Sequence, residues 1–254
     1  MGLSRRLQFY GIAEYARLFL LKYWPRPIPN AQDYIEPLRG LHGLEIGGPS
    51  EMFSDRGGLP LYREVGSLDG VNFAGAQAGP QKSFAYHPEK PSGKYITGEA
   101  RHLPIPDASY DFVMSSHVIE HCANPIGAIK EWMRILRSGG YVLIAAPEKN
   151  GMFDHQRALT PWSHLLQDYT RDTGEDDPTH IEDDRIGIDR TLIPSYDAAV
   201  IDERFRANPE TRWVHHHTFN AASVARMMYF AGLDVLAIDK DPPTTVVVLG
   251  RKSL

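Results

Sequence analysis

Asp111-Phe112-Val113-Met114-Ser115-Ser116 and, further on, Tyr141-Val142-Leu143-Ile144-Ala145-Ala146 are the stretches that decide the fold. The second is apolar throughout, as a central strand of a parallel sheet must be when helices cover both its faces. Between them the spacing predicts a helix over 125–136. Asn124 can cap its start, and Pro125 sits where a missing N–H costs nothing. Ser138-Gly139-Gly140 is the stop signal. Strand, helix and strand in succession make one parallel crossover unit.

The same rhythm extends outward. Upstream, strands are predicted over 43–46, 65–73 and 94–97, with an irregular stretch over 74–93. Downstream, residues 147–214 break the rhythm. They are polar and rich in aspartate and histidine, with only short helical stretches such as 161–169. A connection of that length inside a compact domain is usually functional. A helix near 221–231 restores the pattern. Two last strands, 234–239 and 245–250, are close enough to form an antiparallel hairpin at the sheet edge. The expected fold class is α/β: a seven-stranded doubly wound sheet with a C-terminal antiparallel hairpin and a large insertion after strand five. Residues 1–30 read as an amphipathic helix and linker. Residues 31–254 read as one domain, with the insertion at about 147–214.

Composition sets limits. The chain has 254 residues and a formal net charge of -5, so a broad nucleic-acid-binding face is not expected. Its one cysteine, Cys122, has no internal partner, which points to a reducing, cytoplasmic setting. Within residues 1–24, Glu14 and Arg17 interrupt the apolar run, so no membrane span is expected there. That helix is expected to pack on the domain or on another subunit of a homodimer, with peripheral membrane contact as the alternative.

Ligands of open α/β sheets bind beyond the carboxyl ends of the strands. Leu44-Glu45-Ile46-Gly47-Gly48-Pro49-Ser50 closes the first strand there. Gly47 and Gly48 let backbone approach a ligand closely. Glu45 can meet an ammonium group. Pro49 replaces a further glycine and shortens the turn, which weakens a phosphate-binding reading.

A longer block follows: Gly98-Glu99-Ala100-Arg101-His102-Leu103-Pro104, then Asp111-Phe112-Val113, Ser116-His117-Val118-Ile119-Glu120-His121, Arg134-Ile135-Leu136 and Gly139-Gly140. In order and spacing it resembles the class I S-adenosylmethionine-dependent methyltransferases of small molecules and sugars. The resemblance implies a Rossmann-like fold with S-adenosylmethionine as cofactor. It implies that Glu45, Gly47 and Gly48 line the methionine end. An acid at the end of strand two would hold the ribose, and Asp69 and Asn72 both lie close enough. Glu99 and Ala100 would edge the adenine, and Ser116 and His117 would close over the cofactor.

His117 to His121 also spells H-x-x-E-H, the inverted zinc-peptidase signature. Here a strand directly precedes it and Asn124-Pro125 follows, which leaves little helix to place both histidines on one face.

A hydroxyl acceptor needs a general base or a polarising cation. His155, with Asp154 to orient it, and His121 are the two candidate bases. Arg157, His164, Tyr169, His180 and His217 are candidate substrate contacts. Asp176 and Asp177 are candidate magnesium ligands, being oxygen donors. Phe153-Asp-His-x-Arg157, Glu175-Asp-Asp-x-Thr-His180 and His216-His-x-Phe219 resemble segments of a methyltransferase group found with glycosyltransferases in bacterial polysaccharide gene clusters. That resemblance implies a carbohydrate acceptor, a sugar or oligosaccharide hydroxyl in polysaccharide biosynthesis. Another small molecule (a quinone, lipid or natural product) is the alternative.

Overall fold

The structure is a computed structural model that describes residues 27–76, 83–193, 197–241 and 243–254; the expected N-terminal helix lies outside them. A seven-stranded sheet forms its centre. In chain order the strands are β1 (His42–Ile46), β2 (Ser67–Asn72), β3 (Tyr95–Thr97), β4 (Tyr110–Ser116), β5 (Leu136–Pro147), β6 (Leu233–Asp241) and β7 (Thr245–Lys252). Their spatial order is β3-β2-β1-β4-β5-β7-β6. β1 runs parallel to both β2 and β4, and β4 runs parallel to β5. β7 lies antiparallel between β5 and β6, so the expected terminal hairpin forms the sheet edge. The chain progresses outward from β1 in one direction and from β4 in the other. The crevice beyond the ends of β1 and β4 is therefore where a ligand belongs.

Alternation along each strand separates the two faces. Val113 joins Ile46, Ile129, Trp132 and Ile144 in one core, while its neighbours Phe112 and Met114 join Tyr34, Phe53, Leu68 and Leu143 in the other. The helix α2 (Pro125–Ile135; α1 is Ala31–Ile35) buries Ile126, Ile129, Trp132 and Ile135 at helical spacing. Asn124 caps it through Oδ1, which accepts from the Gly127 amide at 2.8 Å. The helix runs straight into β5, so the strand includes Ser138-Gly139-Gly140 and starts earlier than its apolar run.

The insertion is more helical than its sequence indicates. It holds α3 (Trp162–Arg171), α4 (Pro178–Gly187), α5 (Ala198–Arg206) and α6 (Asn208–Thr211), and α7 (Ala221–Ala231) follows it. The physical reason is plain. α3 buries Leu165 and Asp168, and α4 buries His180 and Asp184. A helix that buries polar side chains shows no apolar stripe. The insertion has a small core of its own, Ile188, Ile201, Phe205 and Val214, with Phe153 and Trp213 packed against it. Among the described residues no helix is long and apolar enough to cross a membrane.

The turn after β1 depends on a buried carboxylate. Glu45 is fully buried. It accepts hydrogen bonds from Ser50 Oγ at 2.6 Å and from Tyr62 Oη at 2.8 Å. A Cβ on Gly48 would lie 2.1 Å from the Glu45 carboxyl carbon, so only glycine fits there. Burial pushes the Glu45 carboxyl up to about 7, against the two hydrogen bonds that lower it.

Two outcomes follow for stability. A Cβ on Gly43 would meet the Phe112 ring at 2.0 Å. Gly43→Ala is expected to cost about 1–3 kcal/mol by overpacking, read as a lower urea midpoint at unchanged slope. Folded Glu45 holds its proton to higher pH than an unfolded chain does. That stability is present below the ordinary carboxylate range and is lost as pH rises through about 7. Glu45→Gln removes the loss, so above pH ~8 the variant should be more stable than wild type by roughly 1–3 kcal/mol. Parallel pH–stability curves for the two proteins would refute this.

Candidate active site

A cleft of about 300 Å³ opens at the carboxyl ends of β1, β2 and β4. Its floor is Ile46, Gly47 and Val71, and Asn72 and Phe73 flank it from the end of β2. Gly98, Glu99, Ala100, Arg101 and His102 form one side, while His117, Val118, His121 and Cys122 form the other. Glu175 and Arg212, from the insertion, complete the rim.

Gly47 makes the floor possible. Its φ is +83°, and a Cβ there would meet Val118 Cγ2 at 2.4 Å. Its amide donates to the Val71 carbonyl at 2.8 Å, which ties the turn to β2. Asn72 donates from Nδ2 to the Gly48 carbonyl at 2.9 Å, so side chain and turn fix each other. Arg212 reaches across the mouth to Glu99, with 3.1 Å between Nη2 and Oε1.

Opposite stands a wall of imidazoles. His117 follows β4 directly at φ +54°, a strained value for a residue with a side chain. Its amide donates to the Ala145 carbonyl at 2.9 Å, and Nε2 lies 3.0 Å from Thr245 Oγ1. His121 donates from Nδ1 to the Val214 carbonyl at 3.0 Å. Burial pushes His117 down to about 4. Burial, and then the positive His215, pushes His121 down to about 3. Both rings are therefore neutral at neutral pH. Behind them Glu120 is buried, with neither carboxylate oxygen hydrogen-bonded.

Of the residues expected at the cofactor, Gly47, Asn72, Glu99, Ala100 and His117 line the cleft. Four do not. Glu45 and Gly48 lie behind the turn and shape it, and Ser116 ends β4 outside the lining. Asp69 is the clear correction. It accepts from Tyr110 Oη at 2.8 Å and from the Lys94 amide at 2.7 Å, and it borders a different cavity beside His42. Three residues along the strand from Asn72, it sits too early to reach the cleft.

The acid–base candidates also move. His121 is in the cleft wall, whereas His155 is not and lies 3.3 Å from Asp189 Oδ2. Asp154 orients His215 instead, with 2.9 Å between Oδ2 and Nδ1. Arg157 is a tie within the insertion, donating to Asp184 and to the carbonyls of His215 and His216. Tyr169 packs edge-on against Phe230. His164, His180 and His217 gather round Asp168, where their donor atoms all lie within 4.8 Å of one another. Asp177 caps α4, its Oδ1 accepting from the amides of Thr179 and His180; neither it nor Asp176 belongs to a donor cluster among the described residues. Arg212, Glu175, His102 and His215 were not among the expected site residues; Glu175 and His102 fall inside the quoted segments, but only the fold brings all four together.

Residues 63–144 match the family model of a methyltransferase domain. Uncharacterised methyltransferases of two mycobacteria are similar in sequence. That of Mycolicibacterium vanbaalenii is 30% identical over 145 residues, covering 55% of this chain and 53% of its own. That of Mycolicibacterium gilvum is 32% identical over 119 residues, covering 45% and 46%. The chain thus spans about half the length of the curated relatives it matches. A methyltransferase structure from Bacillus halodurans superposes with a TM-score of 0.50 at 12% identity, covering 89% of this chain and 99% of that one. Strand order, cleft position and these similarities agree: the chain has the class I S-adenosylmethionine-dependent methyltransferase fold.

Proposed function

We propose that the chain is an S-adenosylmethionine-dependent O-methyltransferase acting on a hydroxyl of a sugar or oligosaccharide. The observation that carries this is the meeting, round one cleft, of a glycine turn, an amide at the end of β2 and a wall of neutral imidazoles. The residues fit the cofactor. Gly47 and Gly98 present bare backbone where a Cβ would intrude, at 2.4 Å from Val118 Cγ2 and 2.8 Å from Pro104 Cδ. Ile46, Val71, Phe73 and Ala100 offer apolar contact to adenine. Asn72 engages Nδ2 on Gly48, and its Oδ1 can accept from a ribose hydroxyl.

S-adenosylmethionine supplies a methyl group already activated on a sulfonium. The chain then has to place an acceptor in line and help remove its proton. Neutral His117 and His121 do not repel a sulfonium, and they can accept a hydrogen bond from a hydroxyl. A carbohydrate acceptor is supported by a second cavity of about 390 Å³, where Gln156, Arg157, Thr160, His164 and Asp183 offer mixed donors and acceptors. A polyhydroxylated ligand needs that mixture, and an aromatic or lipid acceptor does not.

Calorimetry with S-adenosylmethionine should show Asn72→Ala binding about tenfold more weakly, the loss of one hydrogen bond. Unchanged affinity would remove Asn72 from the site. With radiolabelled cofactor, a panel of sugars and oligosaccharides should accept methyl groups where quinone, lipid and aromatic acceptors do not. His121→Ala is expected to lower turnover by about 10²–10⁴ while cofactor affinity holds. A smaller loss there than in His155→Ala would return the role to His155.

A further inference from the structure

Glu120 sits on the 3-10 turn Ile119–His121, just past β4. Its side chain is 1% exposed, and neither carboxylate oxygen has a hydrogen-bond partner. Burying a carboxylate without partners is costly, so a native site of this kind has a guest or a proton. Its neighbours show which. His117 Nδ1 lies 3.6 Å from Glu120 Oε1, His121 Nε2 3.7 Å and His215 Nε2 4.0 Å, and of the three rings His121 and His215 converge with the carboxylate as one donor group.

The tautomers are set from behind. His121 Nδ1 faces the Val214 carbonyl, which can only accept, so Nδ1 carries the hydrogen and Nε2 the lone pair. His215 Nδ1 faces the Asp154 carboxylate at 2.9 Å, which turns Nε2 inward; that nitrogen offers its lone pair when a metal ion displaces its proton. Two imidazole nitrogens and a carboxylate therefore converge with no hydrogen bond joining them. The outer contacts, one carbonyl and one carboxylate, are the kind that orient metal-binding histidines. Glu120, Asp154 and Asp184 are three buried carboxylates in this layer, with the Arg157 guanidinium 3.1 Å from Asp184 and 3.9 Å from Asp154. Once the ion displaces the His215 proton, that balance favours a double positive charge.

We propose that Glu120, His121 and His215 bind a divalent transition-metal ion, zinc by donor chemistry, behind the cleft wall to which His121 belongs. Two nitrogens and one carboxylate suit zinc better than magnesium, and three protein ligands leave a position open for an exogenous oxygen. Tetrahedral zinc spaces its ligand atoms ~3.3 Å apart, so loading draws the three residues inward by about 0.5 Å. The ion's chemical role rests on the methyltransferase reading; its binding does not. With the ion bound, His121 would serve as a ligand in place of a base, and the open position would take the acceptor hydroxyl, whose proton would leave to water. The oxygen then forms the new C–O bond, and the sulfur keeps the electron pair of the broken S–C bond.

The cluster of His164, Asp168, His180 and His217 is the competing site. There, however, His217 donates through Nε2 to the Ala123 carbonyl, and this is the nitrogen 3.8 Å from Asp168 Oδ2. That nitrogen has no lone pair to offer the cluster, and His164 Nε2 and His180 Nε2 are already joined by a hydrogen bond of 2.8 Å, so one of them carries a hydrogen.

The test uses the full chain, stripped with a chelator and titrated calorimetrically with zinc. One ion per chain is expected. Glu120→Gln should weaken binding by about 100-fold or more, and His180→Gln should leave it within about threefold. Zinc at 100 times its Kd should raise the Tm of wild type by about 5–10 °C, reversed by chelator. X-ray absorption of the zinc-loaded wild type counts the ligands directly: two imidazoles per zinc, with binding that survives His180→Gln, support the site, and three imidazoles overturn it. Absence of one-to-one binding, or a loss that follows His180→Gln, also overturns it. Cofactor affinity measured on the stripped protein separates the two proposals. Cofactor binding without zinc binding ends this one alone, and zinc binding without cofactor binding ends the other.

Discussion

The buried contact between Asp154 and His215 is the fastening on which the site depends. Asp154 stands near the start of the insertion and His215 near its end. Asp184, from α4 in the middle, accepts the His215 amide at 3.0 Å and binds Arg157, whose guanidinium also holds the carbonyls of His215 and His216. Start, middle and end of the insertion thus meet at one polar node. Desolvation penalises every charge in it, and the charges persist because each has a partner. His215 shows the balance. Burial would lower its pKa, yet its bond to Asp154, with Glu120 and Asp184 close by, raises it. The same node steers His215 toward the cleft wall and brings the Val214 carbonyl to His121.

Much of the fold was legible because it is built on apolar periodicity. Tyr141 to Ala146 could only be a central strand, and Asn124-Pro125 could only begin a helix. The insertion was opaque for the converse reason. Asp168, His180 and Asp184 occupy buried helical positions that a sequence reader assigns to solvent. At the cleft, glycines and strand ends led to Gly47, Asn72 and Ala100, all of which line it. Asp69 misled because the expectation called for an acid, and three residues along a strand amount to about 10 Å. Asn72, an amide, lines the cleft at that strand end. His155 misled by proximity in sequence, since the chain turns between it and Asp154 and sends their side chains to different partners.

The two ends of the cleft are made from different materials. The cofactor end consists of strand termini and glycine backbone, and its geometry follows from sheet register. The opposite wall consists of imidazoles whose orientation is set by hydrogen bonds to Val214 and Asp154, both in the insertion. Rigid placement on one side and oriented, neutral nitrogen on the other is an arrangement suited to displacement at a cationic carbon.

The small separate core of the insertion, Ile188, Ile201, Phe205 and Val214, has an evolutionary consequence. Its apolar contacts are internal, and the node that docks it is polar and compact. Its surface can therefore vary without disturbing the packing under the sheet. A scaffold so divided would let substitutions accumulate on the outer face of the insertion while the strand ends and the glycine turn keep their geometry.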